Sequence, residues 1–278
     1  MDTSRNHKRA GIWVLAGAML LLTACASQPV ERKSGVLNAD AASLMRVADT
    51  TRQAGDTAAA IPLYRRAHEL DPESAIPLIE LAEALNELGA YSEAAPAWTE
   101  ALRLEPDNPA ALEGYGSALT GLNQPHLALE RFEAAIALRP TPDAYNGMGV
   151  ALDMLGRPDE AQSSYRSGIG MAPDDVGLAN NLGLSLALSG RYADAMEVLE
   201  RAVTLPGADA RHRQNLALAY GLAGDTERAA QVARMDLDEQ AVLQNLSYYA
   251  VLRDMGDHAR KVQAVGSLHA RLRGAKAR

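Results

Sequence analysis

An all-α array of repeated helical pairs is what this sequence predicts, on three observations. Alanine and leucine dominate, while aromatic residues make up 4% and phenylalanine occurs once; that composition suits close-packed helices better than sheets built from β-branched and aromatic residues. At 278 residues the chain exceeds the usual size of a single hydrophobic core, so it must be divided or elongated. A shift of about 34 residues repeatedly lays small residues on small residues, the mark of an array.

Residues 1–24 read as a leader. Arg5, Lys8 and Arg9 precede an apolar run from Ile12 to Ala24, a signal-peptide profile and too short a run for a spanning helix, which needs ~20 apolar residues. The run ends in Leu22-Thr23-Ala24-Cys25, and Cys25 is the only cysteine. An internal disulfide, a Cys-x-x-Cys pair and a thiolate metal cluster are thereby excluded. The four residues resemble the bacterial lipobox, with a large apolar residue three before the cysteine and small residues just before it. The resemblance implies a thioether-linked diacylglycerol on Cys25, cleavage between Ala24 and Cys25, and acylation of the new amino group. Several acyl chains anchor firmly where one is marginal, since each buried CH₂ contributes ~0.8 kcal/mol. An ordinary signal peptide with an incidental cysteine is the alternative. Ala26 and Ser27 stand where an aspartate would resemble an inner-membrane retention signal, which leans toward the outer membrane, facing the periplasm. Residues 25–40 read as the lipidated amino terminus and a flexible tether, because Ser27 to Asn38 is polar, contains Pro29 and Gly35 and shows no helical period.

From residue 41 the period governs. Ala48, Ala82, Gly116, Gly149, Gly183 and Ala217 form one small column; Ala60, Ala94, Ala128, Ala161, Ala195 and Ala229 form a second; Ala67, Ala101, Ala135, Gly168 and Ala202 form a third. Between them run bulky columns, Val47, Leu81, Tyr115, Met148, Leu182 and Leu216 in the first helix of each pair and Tyr64, Trp98, Phe132, Tyr165 and Leu199 in the second. Small residues let paired helices approach, and bulky ones fill the space beside them. Gly55-Asp56, Gly89, Gly156, Gly190 and Gly224-Asp225 mark turns between helices, and Pro72, Pro106, Pro140, Pro173 and Pro206 mark exits. The pattern resembles the tetratricopeptide repeat (TPR), which implies an α-solenoid of about six helix-turn-helix repeats: 41–74, 75–108, 109–141, 142–175, 176–209 and 210–236. The sixth loses its third small column at Asp236, as a terminal repeat with a wet face can. Residues 237–256 read as a capping helix with Leu243, Leu246 and Ala250 on its packed face.

The remaining segment, 257–278, is basic: from His258 onward it has no acid but carries Arg260, Lys261, Arg271, Arg273, Lys276 and Arg278. It reads as a disordered solubilising tail, or as a contact to anionic lipid or an acidic partner. The formal net charge of −8 opposes a nucleic-acid footprint over the body of the chain. Active-site look-alikes fail on context. His68-Glu69 begins a zinc-protease pattern, but Pro72 stands where the second histidine belongs. Gly147-Met148-Gly149 and Gly183-Leu184-Ser185 lie inside helices with no strand before them, as packing glycines do. No catalytic, metal or cofactor site is expected, and no small-molecule substrate.

The expected function lies in a concave surface lined by the first helix of each repeat. Asn181 and Asn215 share one repeat position, Asn146 and Asn180 the neighbouring one. Side-chain amides both donate and accept, so a row of them can hold an extended peptide without demanding particular side chains. The alternative is that they are caps within the array or loose surface residues. Glu80, Glu83 and Glu87, on one helix, are either a solvated face or a surface for a basic partner.

The stretches Asn180 to Val203 and Gln214 to Arg253, the latter with the ending Gln244-Asn245-Leu246-Ser247-Tyr248-Tyr249, together with the lipobox and repeats, are similar to the TadD-type lipoprotein of the tight adherence (Tad/Flp) pilus system. The resemblance implies a pilotin-like assembly factor with a secretin or other pilus-machine subunit as partner. The rival implications are an adaptor for type IV pili, cell-wall hydrolases or envelope proteases, and an enzyme with unrecognised chemistry.

Overall fold

The computed structural model describes residues 40–266 apart from residue 259. The segments read as a leader and a tether, with Cys25, lie outside the described residues up to residue 39. Among the described residues six helical pairs and a further long helix follow, ahead of a short terminal helical segment: α1 (Ala41–Gln53), α2 (Thr57–Leu70), α3 (Ile76–Glu87), α4 (Tyr91–Leu104), α5 (Pro109–Gly121), α6 (Pro125–Leu138), α7 (Pro142–Met154), α8 (Pro158–Met171), α9 (Val176–Leu188), α10 (Tyr192–Ala202), α11 (Ala210–Ala223), α12 (Thr226–Ala233) and α13 (Glu239–Asp254). Among the described residues there is no strand. The fold is the all-α TPR solenoid with a carboxy-terminal helix.

Local chemistry sets the helix boundaries. The Asp40, Asp56, Asn108, Thr141 and Asp175 side chains accept from backbone N–H groups at the starts of α1, α2, α5, α7 and α9, satisfying donors that a helix start leaves without partners. Gly89, Gly156 and Gly190 turn the chain between paired helices at positive φ. In the third repeat Asn123 does this at φ 58°; asparagine tolerates the left-handed region better than other side chains, so that turn carries no glycine.

The two alanine columns of the second helices are fully or almost fully buried, and Tyr64, Trp98, Phe132, Tyr165 and Leu199 are at most 1% exposed. Each such side chain contributes ~1.5–3 kcal/mol on burial. The pairing is close: a Cβ on Gly149 would meet the Tyr165 ring at 2.4 Å, and one on Gly183 would meet Leu199 at 2.4 Å. Val47, in contrast, is 54% exposed, because it lies in the first repeat, where the stack begins among the described residues.

Each helix packs on its chain neighbours, and α3, α5, α7, α9 and α11 also touch one another in series, with no comparable contact between successive even-numbered helices. The odd-numbered helices therefore share one closely spaced inner face. The sixth pair is degenerate: α12 has 8 residues, and beyond it Arg213 grips Asp236, with its Nε donating at 2.9 Å. Helix α13 packs on α11 and α12.

Two expectations are corrected. In α13 Leu246 packs against the core as expected, but the buried residues are Val242, Asn245, Tyr249 and Leu252, and Leu243 is 57% exposed. The neighbouring face wins because Tyr249 fits over Gly221, whose missing Cβ would lie 2.3 Å from the ring. The start of the basic segment is not a free tail either: residue 258 and residues 260–266 are helical, with Lys261 and Val265 buried. Asp257 caps this terminal segment by accepting from the Arg260 N–H at 3.1 Å.

Candidate interaction groove

The inner face begins with charge. Arg52 of α1 reaches three carboxylates of α3, Glu80 at 2.6 Å, Glu83 at 3.0 Å and Glu87 at 2.7 Å. These glutamates thus have a basic partner within the chain. With Asp49 and Tyr64 they bound a cleft of about 550 Å³. One guanidinium shared among three carboxylates does not fully compensate Glu80: burial, reinforced by the neighbouring Glu83, holds its carboxyl above the ordinary range. Burial and the hydrogen bond to Asp49 push the Tyr64 hydroxyl up to about 12. Farther along, burial also raises Glu113, whose carboxylate accepts from the Thr141 hydroxyl at 2.8 Å.

The asparagines lie deeper in the array and are joined to one another. Asn215 donates to Asn180 at 2.8 Å, Asn180 to Asn181 at 3.2 Å, and Asn181 to Asn146 at 2.9 Å. A continuous amide row therefore runs across α7, α9 and α11. Asn180 and Asn215 are buried within it, whereas Asn146 and Asn181 are half-buried, and Asn181 lines a cleft of the inner face.

Beside that row is a polar cluster that sequence reasoning missed. The buried carboxylate of Asp153 on α7 accepts from Tyr165 at 3.0 Å and from Ser185 at 2.7 Å, and His258 Nε2 of the terminal segment stands 2.9 Å from it. Full burial, together with the adjacent carboxylate, pushes the Tyr165 hydroxyl well up. Asp153 lies between serine and histidine, so the histidine cannot take the serine proton directly and the group is not arranged as a nucleophile with its base. A signal was present: four places after the first small column stand Arg52, Asn86, Thr120 and Asp153, then Ala187 and Gly221. A polar run at one repeat position marks the inner face. His258 had no such signal, being outside the period. Among the described residues no group of His, Cys, Asp and Glu side chains is placed to hold a metal ion.

These features define a class: a helical-repeat scaffold with a polar inner groove. Two family models, each described as tetratricopeptide repeat, match residues 16–146 and 154–210, and the chain is a TPR-repeat protein. TPR arrays are typically non-catalytic scaffolds that bind peptides or protein partners. No curated protein sequence is significantly similar to the chain. Among solved structures, PilW, described as a widely conserved type IV pilus biogenesis factor, is similar at 20% identity and a TM-score of 0.67, covering 73% of this chain and 98% of its own. PilF of Pseudomonas aeruginosa matches at 20% identity and 0.59, covering 81% and 96%. YrrB, described as a TPR protein with an unusual peptide-binding site, matches at 22% identity and 0.51, covering 65% and 96%. At these identities the likeness is one of fold.

Proposed function

We propose that the chain is a lipid-anchored assembly factor of the outer membrane, facing the periplasm, that binds segments of Tad/Flp pilus-machine proteins in its groove, a secretin subunit being the first partner to test. The observation that carries the binding role is the half-buried pair Asn146 and Asn181 on the inner helices α7 and α9, joined at 2.9 Å, with Asn181 lining a cleft. The lipobox around Cys25 supports the anchor, and the resemblance of residues 180–203 and 214–253 supports the pilus system. The fold shared with PilW and PilF favours a second reading, an assembly factor for type IV pili.

The test is capture from envelope extracts by the full chain and by the Asn146→Ala/Asn181→Ala variant. A Tad secretin held by the first and lost by the second, with folding unchanged, is the expected result. Capture of a type IV pilus subunit selects the second reading, and equal capture by both proteins removes the groove from the mechanism. Cys25→Ser should release the chain from membranes in a high-salt wash; a variant that stays bound would exclude the lipid anchor.

A further inference from the structure

The terminal segment lies on the inner face as a ligand would. His258 stands 2.9 Å from Asp153 Oδ1, Lys261 Nζ donates to the Leu188 carbonyl at 3.4 Å, and Val265 is 2% exposed. Val262 and Val265 close a cleft of about 170 Å³ whose other walls include Val150, Asn181, Leu184 and Leu188. The contacting positions of the segment, 258, 261, 262 and 265, fall at i, i+3, i+4 and i+7. That spacing is the stripe by which an amphipathic helix enters a groove.

Three observations separate this segment from an ordinary structural cap. A non-helical link, 255–257, divides it from α13 and contains the exposed Gly256. Its polar anchors reach residues 105 and 73 positions away, so its hydrogen bonds are made to repeats four and five. Its receptor is also satisfied without it, since Asp153 keeps the Tyr165 and Ser185 hydroxyls as donors. A helix this short has little stability of its own, so its place depends on the groove. Charge agrees: residues 258–266 include no acid, and His258 faces a buried carboxylate.

We propose that residues 258–266 are an internal ligand, occupying the α7–α9 part of the groove until a partner helix displaces them. The partner chemistry follows from the stripe: a short amphipathic helix with a hydrogen-bonding side chain at i, a cation at i+3 and apolar residues at i+4 and i+7. The displacement of such a partner's rival rests on the groove function proposed above, whereas the occupancy itself can be tested without any pilus protein.

The probe is a fluorescein-labelled synthetic peptide of residues 257–278, titrated into full-length chains carrying Cys25→Ser. The His258→Ala/Val265→Asp variant, with its own segment released, should bind the peptide at least tenfold more tightly than the unaltered segment allows. Adding Asp153→Asn to that variant should weaken binding again. His258→Ala alone, a milder release, should fall between. Equal binding by released and unreleased chains, or no binding by either released chain while circular dichroism shows it folded, would overturn the proposal. So would a dimer with exchanged segments, seen by light scattering. If the peptide binds as expected but released and unreleased chains capture envelope proteins equally, the internal ligand stands and the groove function fails.

Discussion

At the scale of single residues the array depends on close contact between rings and bare backbone. A Cβ added at Gly147 would lie 2.3 Å from the Phe132 ring, and a rigid ring in a packed interior has little room to yield. Gly147→Ala should therefore cost about 1–3 kcal/mol in urea unfolding, and adding Phe132→Leu should recover part of it. Arg52 tests charge instead of shape. Its removal leaves Glu80, Glu83 and Glu87 facing one another across part-buried ground; because the groups are 21–45% exposed, solvent screening limits the loss to about 1–2 kcal/mol. The pH dependence has a definite sign. Glu80 already binds its proton more tightly folded than unfolded, and Arg52→Ala tightens it further. The deficit should be full at neutral pH and shrink as the pH falls through that raised value. Thermal melts across this range measure it; a deficit that grows on acidification would contradict the assignment.

At the scale of elements, α13 offers the sharpest test. Val242→Ser should cost about 1–3 kcal/mol as a buried polar replacement, while Leu243→Ser should change stability by less than about 0.5 kcal/mol; paired denaturation curves distinguish the faces. The period made the helices and their packed columns legible, because every repeat poses the same packing problem and answers it with the same residue sizes. The face of α13 was only partly legible: Leu246 could be read, but Val242 and Tyr249 could not, since the helix lies outside the period and packs on Ala217, Ala230, Ala233 and Gly221 of other elements. The turn at Asn123 was hidden for a different reason: asparagine meets the backbone requirement without the glycine that announces it. The site was half legible. Asn146, Asn180, Asn181 and Asn215 could be read from their columns, but not that they bond to one another. His258 joins Asp153 across 105 positions, and no local pattern encodes such a contact.

At the scale of the molecule the buried apolar side chains fall into two large clusters. One runs from Ala48 to Ala118 and the other from Leu119 to Val265, and Tyr115 of α5 packs against both. Arrays of this kind are held by nearest-neighbour contacts, so their parts need not unfold together. Trp98 lies in the first cluster, and the chain's other tryptophan, Trp13, lies in the stretch read as a leader, residues 1–24. In a protein without the leader, Trp98 fluorescence therefore reports the first cluster alone, while far-ultraviolet circular dichroism reports all helices. The two urea transitions should not coincide; coincident curves would show one cooperative unit.

The same seam is bridged by one side chain. The Tyr115 ring carries the Arg131 guanidinium at 5.8 Å, and its hydroxyl accepts from the Thr99 hydroxyl at 3.4 Å. Because Tyr115 packs against both clusters, its loss is felt on both sides of the seam: Tyr115→Ala should move the fluorescence and the circular-dichroism transitions together.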